Sequence, residues 1–332
     1  MPISEPAPDG ATGGAPDPGI GAVAIGRNEG ERLIRCLVSL APVVGRVVYV
    51  DSGSTDGSVA AARAAGADVV GLDLSLPFTA ARARNAGLAR LGEGGLPPLV
   101  QFVDGDCELR PGWIPAARVF LEAHPDVAVV CGRRRERFPE ATFWNRLVDR
   151  EWDTPLGEAR ACGGDALMRS AALAEVGGFD PALIAGEEPE LCVRLRAAGW
   201  RIWRLDLEMT LHDAAMTRFG QWWRRSARAG HAYAEGAAMH GRPPERHNVS
   251  QLRRALLWGL ALPVAAIAGA LVTPWALLLL LAYPAQILRL ARRGGWARAA
   301  FLTLGKLAEA QGALSYAWRR LTGRTGRLIE YK

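Results

Sequence analysis

Cysteine is scarce in this 332-residue chain, and the few cysteines are spread widely along it. The sequence contains five, an odd number, and no two of them form a Cys-x-x-Cys pair. This pattern predicts neither a disulfide framework nor a zinc site. It favours a protein that works in a reducing compartment.

The chain also lacks the glycine-rich motifs of two large nucleotide-binding classes. No Gly-x-Gly-x-x-Gly follows the first apolar strand at residues 22–25, and the sequence has no Walker loop. These absences argue against a dinucleotide-binding protein of the Rossmann type and against a P-loop NTPase. Residues 1–19 lack the apolar core and leading basic residues of a signal peptide. Their content of Pro, Gly, Ala and Asp predicts a disordered leader.

Acidic residues are few in the second part of the chain. Residues 200–332 carry 20 basic and 7 acidic side chains, whereas residues 1–199 carry 20 basic and 27 acidic ones. A basic region of this kind suits anionic lipid, phosphorylated substrates or nucleic acid. The same region contains an uncharged run of 34 residues, 255–288, which nucleic-acid binding would not explain. We therefore expect membrane lipids, and no nucleic acid, as partners.

The uncharged run predicts how the chain meets a membrane. Since one span needs about 20 apolar residues, the run is too long for one straight helix and slightly too short for two spans. Arginines at 253–254 and 289–293 flank it, which favours the cytoplasmic side for both ends. We expect a membrane hairpin over residues 255–288 that turns at Thr273-Pro274. One tilted span and a buried helix of a soluble core are the alternatives.

The segments on either side of the hairpin are basic or polar. Residues 289–332 form a basic C-terminal region, in which 296–318 predicts an amphipathic helix at a membrane surface. Residues 236–254 predict a linker. His231, His240 and His247 lack the spacing of metal ligands and are expected on this solvated segment.

The first hundred residues alternate apolar strands with helices. Strands are predicted at 22–25, 47–50, 68–70 and 99–103, and helices at 33–40, 58–65 and 78–91. This alternation predicts an α/β protein with a doubly wound parallel sheet. Asn28 fits the N-cap of the first helix. Arg82 or Arg84 on the third helix suits a phosphate, although a solvated helix face is the commoner role of such arginines.

Two of the predicted strands end in carboxylates. Asp51 follows the second strand, and Asp104 and Asp106 follow the strand at 99–103. Ligands of open α/β sheets bind at the carboxyl ends of strands, and closely spaced carboxylates suit Mg²⁺ or Mn²⁺. An Asx-turn at Asp51 and a surface turn at 104–106 are the alternatives.

Seven segments, in order, resemble the family 2 glycosyltransferases of GT-A fold. The resemblance covers residues 20–235. It implies a mixed α/β sheet flanked by helices and the transfer of a sugar, with inversion, from a nucleotide-diphosphate sugar. The segments are 26–29 (GRNE), 51–58 (DSGSTDGS), 83–87 (ARNAG), 104–106 (DGD), 163–168 (GGDALM), 176–180 (VGGFD) and 186–195 (GEEPELCVRL).

The resemblance also implies a role for individual residues. Asp51 would read the nucleobase, Asp104 the ribose and metal region, and Asp106 the divalent cation, Mn²⁺ or Mg²⁺. His212 would complete the metal site, with a structural hydrogen-bonded histidine as the alternative. The donor-side set is Asn28, Glu29, Asp51, Arg82, Arg84, Asn85 and Asp104; the metal set is Asp104, Asp106 and His212; and the acceptor-side set is Gly164, Asp165, Trp222 and Arg224.

The general base of the family lies in a Glu-Asp pair, which here is Glu187-Glu188. Glu188 aligns with the base, so that the chain is a Glu-for-Asp variant whose carboxylate is displaced by about 1 Å. The choice between Glu187 and Glu188 stays open, because the dipole of a helix also favours acidic residues at its start. Residues 221–225 resemble the Gln-x-x-Arg-Trp box, but Arg225 replaces the tryptophan, which argues against processive polymer synthesis.

Together these features predict a metal-dependent glycosyltransferase of cell-surface polysaccharide or glycolipid assembly. Its domain would span residues 20–235, attached to the inner membrane and facing the cytoplasm. The donor would be a nucleotide-diphosphate sugar, and the acceptor a glycan or a lipid-linked molecule. A nucleotidyltransferase and a non-catalytic membrane scaffold are the alternatives.

Overall fold

The computed structural model describes residues 15–323, which form a mixed nine-stranded sheet flanked by helices. The strands are β1 (Asp17–Gly26), β2 (Val44–Asp51), β3 (Asp68–Gly71), β4 (Leu99–Asp104), β5 (Cys107–Leu109), β6 (Val127–Glu136), β7 (Gly157–Ala159), β8 (Ala166–Arg169) and β9 (Arg201–His212). The helices are α1 (Glu31–Leu40), α2 (Ser58–Ala64), α3 (Ala80–Gly92), α4 (Trp113–Ala123), α5 (Phe143–Glu151), α6 (Ser170–Glu175), α7 (Glu187–Ala197), α8 (Phe219–His240), α9 (Val249–Leu256), α10 (Leu262–Ala270), α11 (Ala282–Gly294) and α12 (Trp296–Thr322).

The strand order places the predicted strand ends side by side. The sheet runs β3-β2-β1-β4-β8-β6-β9-β5, and β7 pairs with β9. Strands β1 to β4 are parallel to their neighbours, as the alternating pattern predicted, with Gly26 opposite Asp51 and Ile25 opposite Asp104. Strand β8 is antiparallel to β4, so the sheet is mixed beyond this point. Both acidic strand ends therefore lie at one edge of the sheet.

The central strands are buried because helices cover the sheet. The run Ala22–Ala24 in β1 is completely buried, as expected for a strand with both faces covered. Helix α3 lies so close to β1 that a Cβ at Gly87 would approach Val23 Cγ1 to 2.3 Å. Thr79 starts this helix by accepting a hydrogen bond from the Arg82 backbone amide. The close packing fixes where the side chains of α3 meet the strand ends.

Two predicted boundaries of the glycosyltransferase-like domain are wrong. Strand β1 begins at Asp17, inside the predicted leader, whose residues 1–14 lie outside the described part of the chain. Helix α8 continues to His240, past the predicted domain end at 235. The alternation of apolar and polar residues was too weak at both places to mark the ends.

The predicted solvated linker is instead docked on the rest of the protein. His231 is buried, and His240 Nε2 lies 2.9 Å from Glu190 Oε1 on α7. Glu245 forms ion pairs with Arg160 and Arg196. The sequence showed a polar segment but not the oppositely charged residues that it contacts.

Helix α12 packs along α8 through small residues. The close approaches involve Gly230 and Gly312, whose added Cβ atoms would lie 1.9 Å from Glu309 O and 1.8 Å from Ala227 O. The predicted helix at 296–318 exists. One of its faces, however, is covered by α8 rather than by a membrane surface, because small side chains let the two backbones approach closely. Residues 324–332 of the predicted basic C-terminal region lie outside the described residues.

Gly312→Ala is expected to lower the free energy of unfolding by about 1–3 kcal/mol, because the new methyl group overlaps the α8 backbone. Thermal and urea denaturation measure the change. Gly220→Ala, in α8 itself, is the matched control, since nothing lies within 4 Å of its added Cβ. Equal stability of the two variants would contradict the close packing of α8 and α12.

The uncharged run folds as two helical arms joined at residues 271–273. The arms Val249–Ala270 and Pro274–Gly294 are each long and apolar enough to cross a membrane, by length and composition only. The first includes a π-helical segment at Leu257–Ala261, and the second begins with a 3₁₀ segment at Pro274–Leu281. Large apolar side chains of the arms are exposed, Trp275 by 75%, which contradicts the alternative of a buried soluble core.

Candidate active site

The acidic edge of the sheet is built by the ends of β1, β2, β4 and β9. Asp104 ends β4, and Asp106 follows one residue beyond Gly105. The Asp213 backbone amide donates a hydrogen bond of 3.1 Å to Asp106 O. Pairing of β5 with β9 places Cys107 opposite His212. Residues more than a hundred positions apart thereby meet at one place.

Asp106 and His212 form the innermost pair of this edge. Both side chains are buried, and Asp106 Oδ2 lies 3.0 Å from His212 Nε2. Burial, assisted by the nearby Arg134 guanidinium, lowers the pKa of His212 to about 4. The imidazole is therefore neutral at pH 7 and able to serve as a metal ligand.

The pair fits a divalent cation. His212 Nδ1 is buried and has no hydrogen-bond partner among residues 15–323. The ligand atoms of Asp106, Cys107 and His212 lie within 4.8 Å of one another. A carboxylate and a neutral imidazole close together suit Mn²⁺, because this borderline-hard ion accepts both oxygen and nitrogen ligands.

Arg84 connects the metal edge to the start of α7. Its Nη2 lies 2.9 Å from Asp104 Oδ1 and its Nη1 lies 2.6 Å from Glu187 Oε1. The arginine is only 3% exposed, so these two carboxylates replace the water that it loses. The sequence predicted a phosphate for Arg82 or Arg84. Arg82 is directed away, because its guanidinium donates to the carbonyls of Asp73, Leu76 and Pro77.

Asp165 supports Asp104 from behind rather than facing an acceptor. It is completely buried, accepts the Asp104 backbone N–H at 3.0 Å and the Thr210 hydroxyl at 2.8 Å. Arg134 Nη2 lies 2.8 Å from Asp165 Oδ2 and 3.4 Å from Asp104 Oδ2. The predicted acceptor contact of Asp165 is therefore wrong, because no face of this carboxylate reaches solvent.

Arg134 was not singled out from the sequence, and Gly164 has a different role from the predicted one. Arg134 stands in a run of three arginines at the end of β6. Its position after the buried part of this strand was the sequence signal that could have identified it as a site residue. A Cβ at Gly164 would lie 2.9 Å from Arg84 Nη2 and 3.0 Å from Asp104 Oδ2. Only glycine lets this backbone approach the arginine–aspartate cluster so closely.

The loop after β2 is held by hydrogen bonds to Asp51 and Asn28. Asp51 Oδ2 accepts from the backbone amides of Gly53 and Ser54, at 3.0 and 2.9 Å. Asn28 Oδ1 accepts the Thr55 amide at 2.7 Å, and its own φ of 56° is left-handed. The prediction of Asn28 as an N-cap is wrong, because the cap of α1 is Gly30.

Two other predicted donor-side residues are engaged within the protein. Glu29 forms an ion pair of 2.9 Å with Arg32. The Asn85 amide is bonded to the Phe179 backbone at both ends, with Nδ2 donating at 2.7 Å and Oδ1 accepting at 3.0 Å. Asn85 therefore joins α3 to the loop before α7 and has no side-chain group directed at a donor.

Glu187 and Glu188 point in different directions from the first turn of α7. Although burial opposes it, Arg84 and Arg228 hold the pKa of Glu187 below its usual value. Glu188 Oε1 instead accepts the Cys162 backbone N–H at 2.5 Å and lies 2.9 and 3.0 Å from the Cys162 and Cys192 thiols. Glu187 is thus bound in an ion pair, whereas Glu188 contacts only neutral donors in these bonds.

Trp222 and Arg224 do not lie together on an acceptor surface. Trp222 is 3% exposed and packs with Leu147, Val148 and Met216 in a second apolar cluster. Arg224 is exposed two residues further along α8. The prediction of Trp222 as an acceptor contact is wrong, because the C-terminal helix, with Phe301, covers the ring.

Glu187→Gln is expected to lower the free energy of unfolding by about 1.5–3 kcal/mol, because the buried Arg84 then loses one of its two charged partners and keeps only Asp104. Since the folded-state pKa of Glu187 is lowered, its contribution is fully present above the unfolded-state pKa of about 4.3 and is lost as pH falls through the folded value. Urea denaturation from pH 7 to pH 3 measures this. A stability difference that grows toward pH 3 would contradict the ion pair.

The comparison with protein families decides the identity of the domain. The model of glycosyl transferase family 2 matches residues 24–173, which include the three acidic residues of the strand ends. Residues 24–173 form a family 2 glycosyltransferase domain. This confirms the predicted resemblance, and five of its seven segments lie within the matched residues.

Relatives with known names match part of the chain. The pre-mycofactocin glycosyltransferase of Mycobacterium tuberculosis (strain CDC 1551 / Oshkosh) is 29% identical over 235 residues, which are 64% of this chain and 46% of that protein. The succinoglycan biosynthesis protein ExoA of Rhizobium meliloti (strain 1021) is 30% identical over 178 residues, or 51% of this chain and 54% of that protein. The chain thus spans about half the length of the curated relatives it matches.

A solved structure shares the fold over almost the whole chain. The mannosyltransferase PcManGT from Pyrobaculum calidifontis, solved in complex with GDP-Man and Mn²⁺, superposes with a TM-score of 0.64 and 22% identity. The match covers 92% of this chain and 90% of that one. Together with the strand order, it confirms the predicted GT-A fold.

Proposed function

We propose that this family 2 domain is an inverting, metal-dependent glycosyltransferase that moves a sugar from a nucleotide-diphosphate sugar to an acceptor hydroxyl. One observation carries the proposal. Arg84 contacts both Asp104 on the metal edge and Glu187, the neighbour of Glu188. A donor diphosphate and an acceptor hydroxyl bound at these two places would lie on either side of one buried arginine.

Asp106 and His212 would hold the divalent cation, Mn²⁺ or Mg²⁺, with Asp104 beside them. When bound, the cation neutralises charge on the leaving nucleoside diphosphate, which is worth several kcal/mol in the transition state. Asp165 and Arg134 keep Asp104 in place, since they contact both its backbone and its carboxylate. Asp51, at the end of β2 on the other side of β1, would read the nucleobase.

Glu188 would act as the general base that takes the proton of the acceptor hydroxyl. It suits this role better than Glu187, because a carboxylate paired with a buried arginine is a weaker base. The Cys162 backbone N–H and the Cys192 thiol orient Glu188 through Oε1. This fixed position would accommodate the extra methylene of the Glu-for-Asp variant.

The names of the relatives favour an acceptor in glycoconjugate assembly. One is a protein of succinoglycan biosynthesis and another a pre-mycofactocin glycosyltransferase. We therefore assign the chain to cell-surface polysaccharide or glycolipid assembly, with a glycan or lipid-linked acceptor. No role with nucleic acid is proposed, since the basic second half also carries the exposed apolar arms.

The apolar arms would hold the protein in the inner membrane with its catalytic domain in the cytoplasm. A Cβ at Gly259 would lie 1.9 Å from Lys306 O, so the charged middle of α12 lies beside this point of the first arm. From Gly259 to Ala270 a helix rises by about 17 Å, whereas the hydrocarbon core is about 30 Å thick. The contact therefore favours a re-entrant hairpin over two full spans.

Thermal-shift titration of the full-length protein tests the donor assignment. UDP-, GDP- and TDP-sugars are compared with and without Mn²⁺, because a ligand that binds only the native state raises its stability by mass action. We expect one nucleotide class to shift the melting temperature, and only with the metal. Binding without sugar transfer to any glycan or lipid-linked acceptor would favour the non-catalytic scaffold.

Cysteine labelling tests the hairpin. Single cysteines placed beside Arg253 and Gly294, on a background without the native five, are exposed to an impermeant thiol reagent in sealed vesicles of either orientation. Both sites are expected to react only in inside-out vesicles. Reaction of either site in right-side-out vesicles contradicts the hairpin, and complete extraction by carbonate contradicts membrane embedding.

A further inference from the structure

Two cysteines that are distant in sequence meet beside Glu188. Cys162 lies in the loop before β8, and Cys192 lies one helical turn after Glu188 on the same face of α7. The two Sγ atoms are 3.9 Å apart, and each lies within 3.0 Å of Glu188 Oε1. No cysteine spacing in the sequence predicted this cluster, because one ligand comes from a loop and two from a helix.

The cluster has nearly the dimensions of a tetrahedral thiolate site. With Zn–S bonds of about 2.3 Å, a tetrahedral zinc ion sets its two sulfurs about 3.8 Å apart. The observed separation of 3.9 Å needs no movement of either cysteine. The carboxylate oxygen would move outward by about 0.5 Å to admit the ion, since a tetrahedral S···O edge is about 3.5 Å.

We propose that Cys162, Cys192 and Glu188 form a second metal site, separate from the Asp106–His212 edge, that binds a thiophilic divalent ion of the zinc class. Cys192 and Glu188 are buried, whereas Cys162 is half-buried and leaves one side of the site accessible. Three protein ligands and an accessible fourth position are the arrangement of an open zinc site. Two thiolates make the site unsuitable for Mg²⁺ and poorly suited to Mn²⁺.

Binding must displace the two thiol protons, which pass to solvent as two metal–sulfur bonds form. Burial raises the pKa of the Cys162 thiol, and the neighbouring Cys192 and Glu188 raise it further. The Cys162 thiol and Arg196 lower the pKa of Cys192, but burial and Glu188 outweigh them and raise it to about 11. Cys131 also raises the pKa of Cys162. Metal binding is therefore expected to tighten as pH rises and to release protons.

An ion at this site would block glycosyl transfer. Its bond to Glu188 Oε1 would occupy the lone pair and the charge that a general base needs. This consequence rests on the proposed function of Glu188, whereas binding of the ion does not. Zinc would then be an inhibitor that does not compete with the nucleotide sugar.

Cadmium titration of the full-length protein tests the site, with excess Mn²⁺ present to fill the Asp106–His212 edge. We expect a thiolate-to-cadmium charge-transfer band that saturates at one ion per chain. Cys192→Ser should weaken binding by more than the roughly 10–100-fold typical of losing an outer-shell partner. Cys162→Ser, at a half-buried position, provides a second variant. Cys36→Ser, at a buried cysteine of α1 outside the candidate metal clusters of the described residues, is the matched control and should keep the band.

The outcomes separate the site from the function. A wild-type protein without the band, or a band that survives in both Cys162→Ser and Cys192→Ser, overturns the metal site. A band lost in these variants, together with zinc inhibition that disappears in them, supports both proposals. A band lost in these variants without any zinc inhibition of the wild type supports the site and contradicts Glu188 as the base.

Discussion

Asp106→Asn is expected to lower the turnover number of metal-dependent sugar transfer on the order of a hundred- to thousandfold. The substitution removes the charged member of the Asp106–His212 pair, and metal stabilisation of the leaving diphosphate is worth several kcal/mol. The fold should survive, because asparagine keeps the size of the side chain and can still accept the hydrogen bond from His212 Nε2. Steady-state kinetics over a range of Mn²⁺ concentrations measures the effect.

The matched control for this experiment is Asp213→Asn. Asp213 lies directly after His212, but its carboxylate is 3.6 Å from Arg35 at the edge of the cluster. Its turnover and its metal dependence should stay within about twofold of wild type. Wild-type activity in a folded Asp106→Asn protein would contradict the assignment of the divalent cation to Asp106.

Glu188→Gln is expected to abolish transfer to the acceptor and to leave nucleotide-sugar binding intact. Glutamine keeps the shape of the side chain and its oxygen can still accept the Cys162 amide, but it has no basicity. Loss of a general base typically costs 10²–10⁴ in rate. Calorimetric binding of the donor with Mn²⁺, compared with turnover, separates the two effects.

Glu187→Gln is the paired variant, since it changes the neighbouring carboxylate in the same way. It should keep a base at position 188 and lose mainly stability, through Arg84. If Glu187→Gln is inactive while folded and Glu188→Gln is active, the two roles are exchanged. The side-chain directions in α7 would then not represent the acceptor-bound state.

The chemistry of the strand ends was predictable from local sequence. Asp51, Asp104 and Asp106 each follow an apolar run, and parallel strands bring such ends to one edge of a sheet. The predicted ligand contacts of Arg82, Asn85 and Asp165, which came from a helix face and from the family resemblance, do not agree with their contacts in the structure. A polar side chain in a motif can bind a ligand or hold the motif together, and only its distances to other chain segments distinguish these roles.

The C-terminal region shows the same limit on a larger scale. The apolar run could be predicted, and its turn, expected at Thr273-Pro274, lies at 271–273, because charge and proline act locally. The packing of α12 on α8 was not predictable. It depends on Gly230 in α8 and Gly312 in α12, which lie about eighty residues apart in sequence. Composition described the amphipathic helix but not the surface that covers it.

The order of the strands and helices of the first half, the acidic strand ends and the uncharged arms could all be predicted, since each follows from residues close to one another along the chain. The contacts of each carboxylate, in contrast, depend on how distant segments pack together. Arg84 selects Glu187 rather than Glu188, and Asp165 is buried behind Asp104. The same is true of the cluster of Cys162, Glu188 and Cys192. Burial and charge pairing act through space, so residues far apart in sequence set these roles.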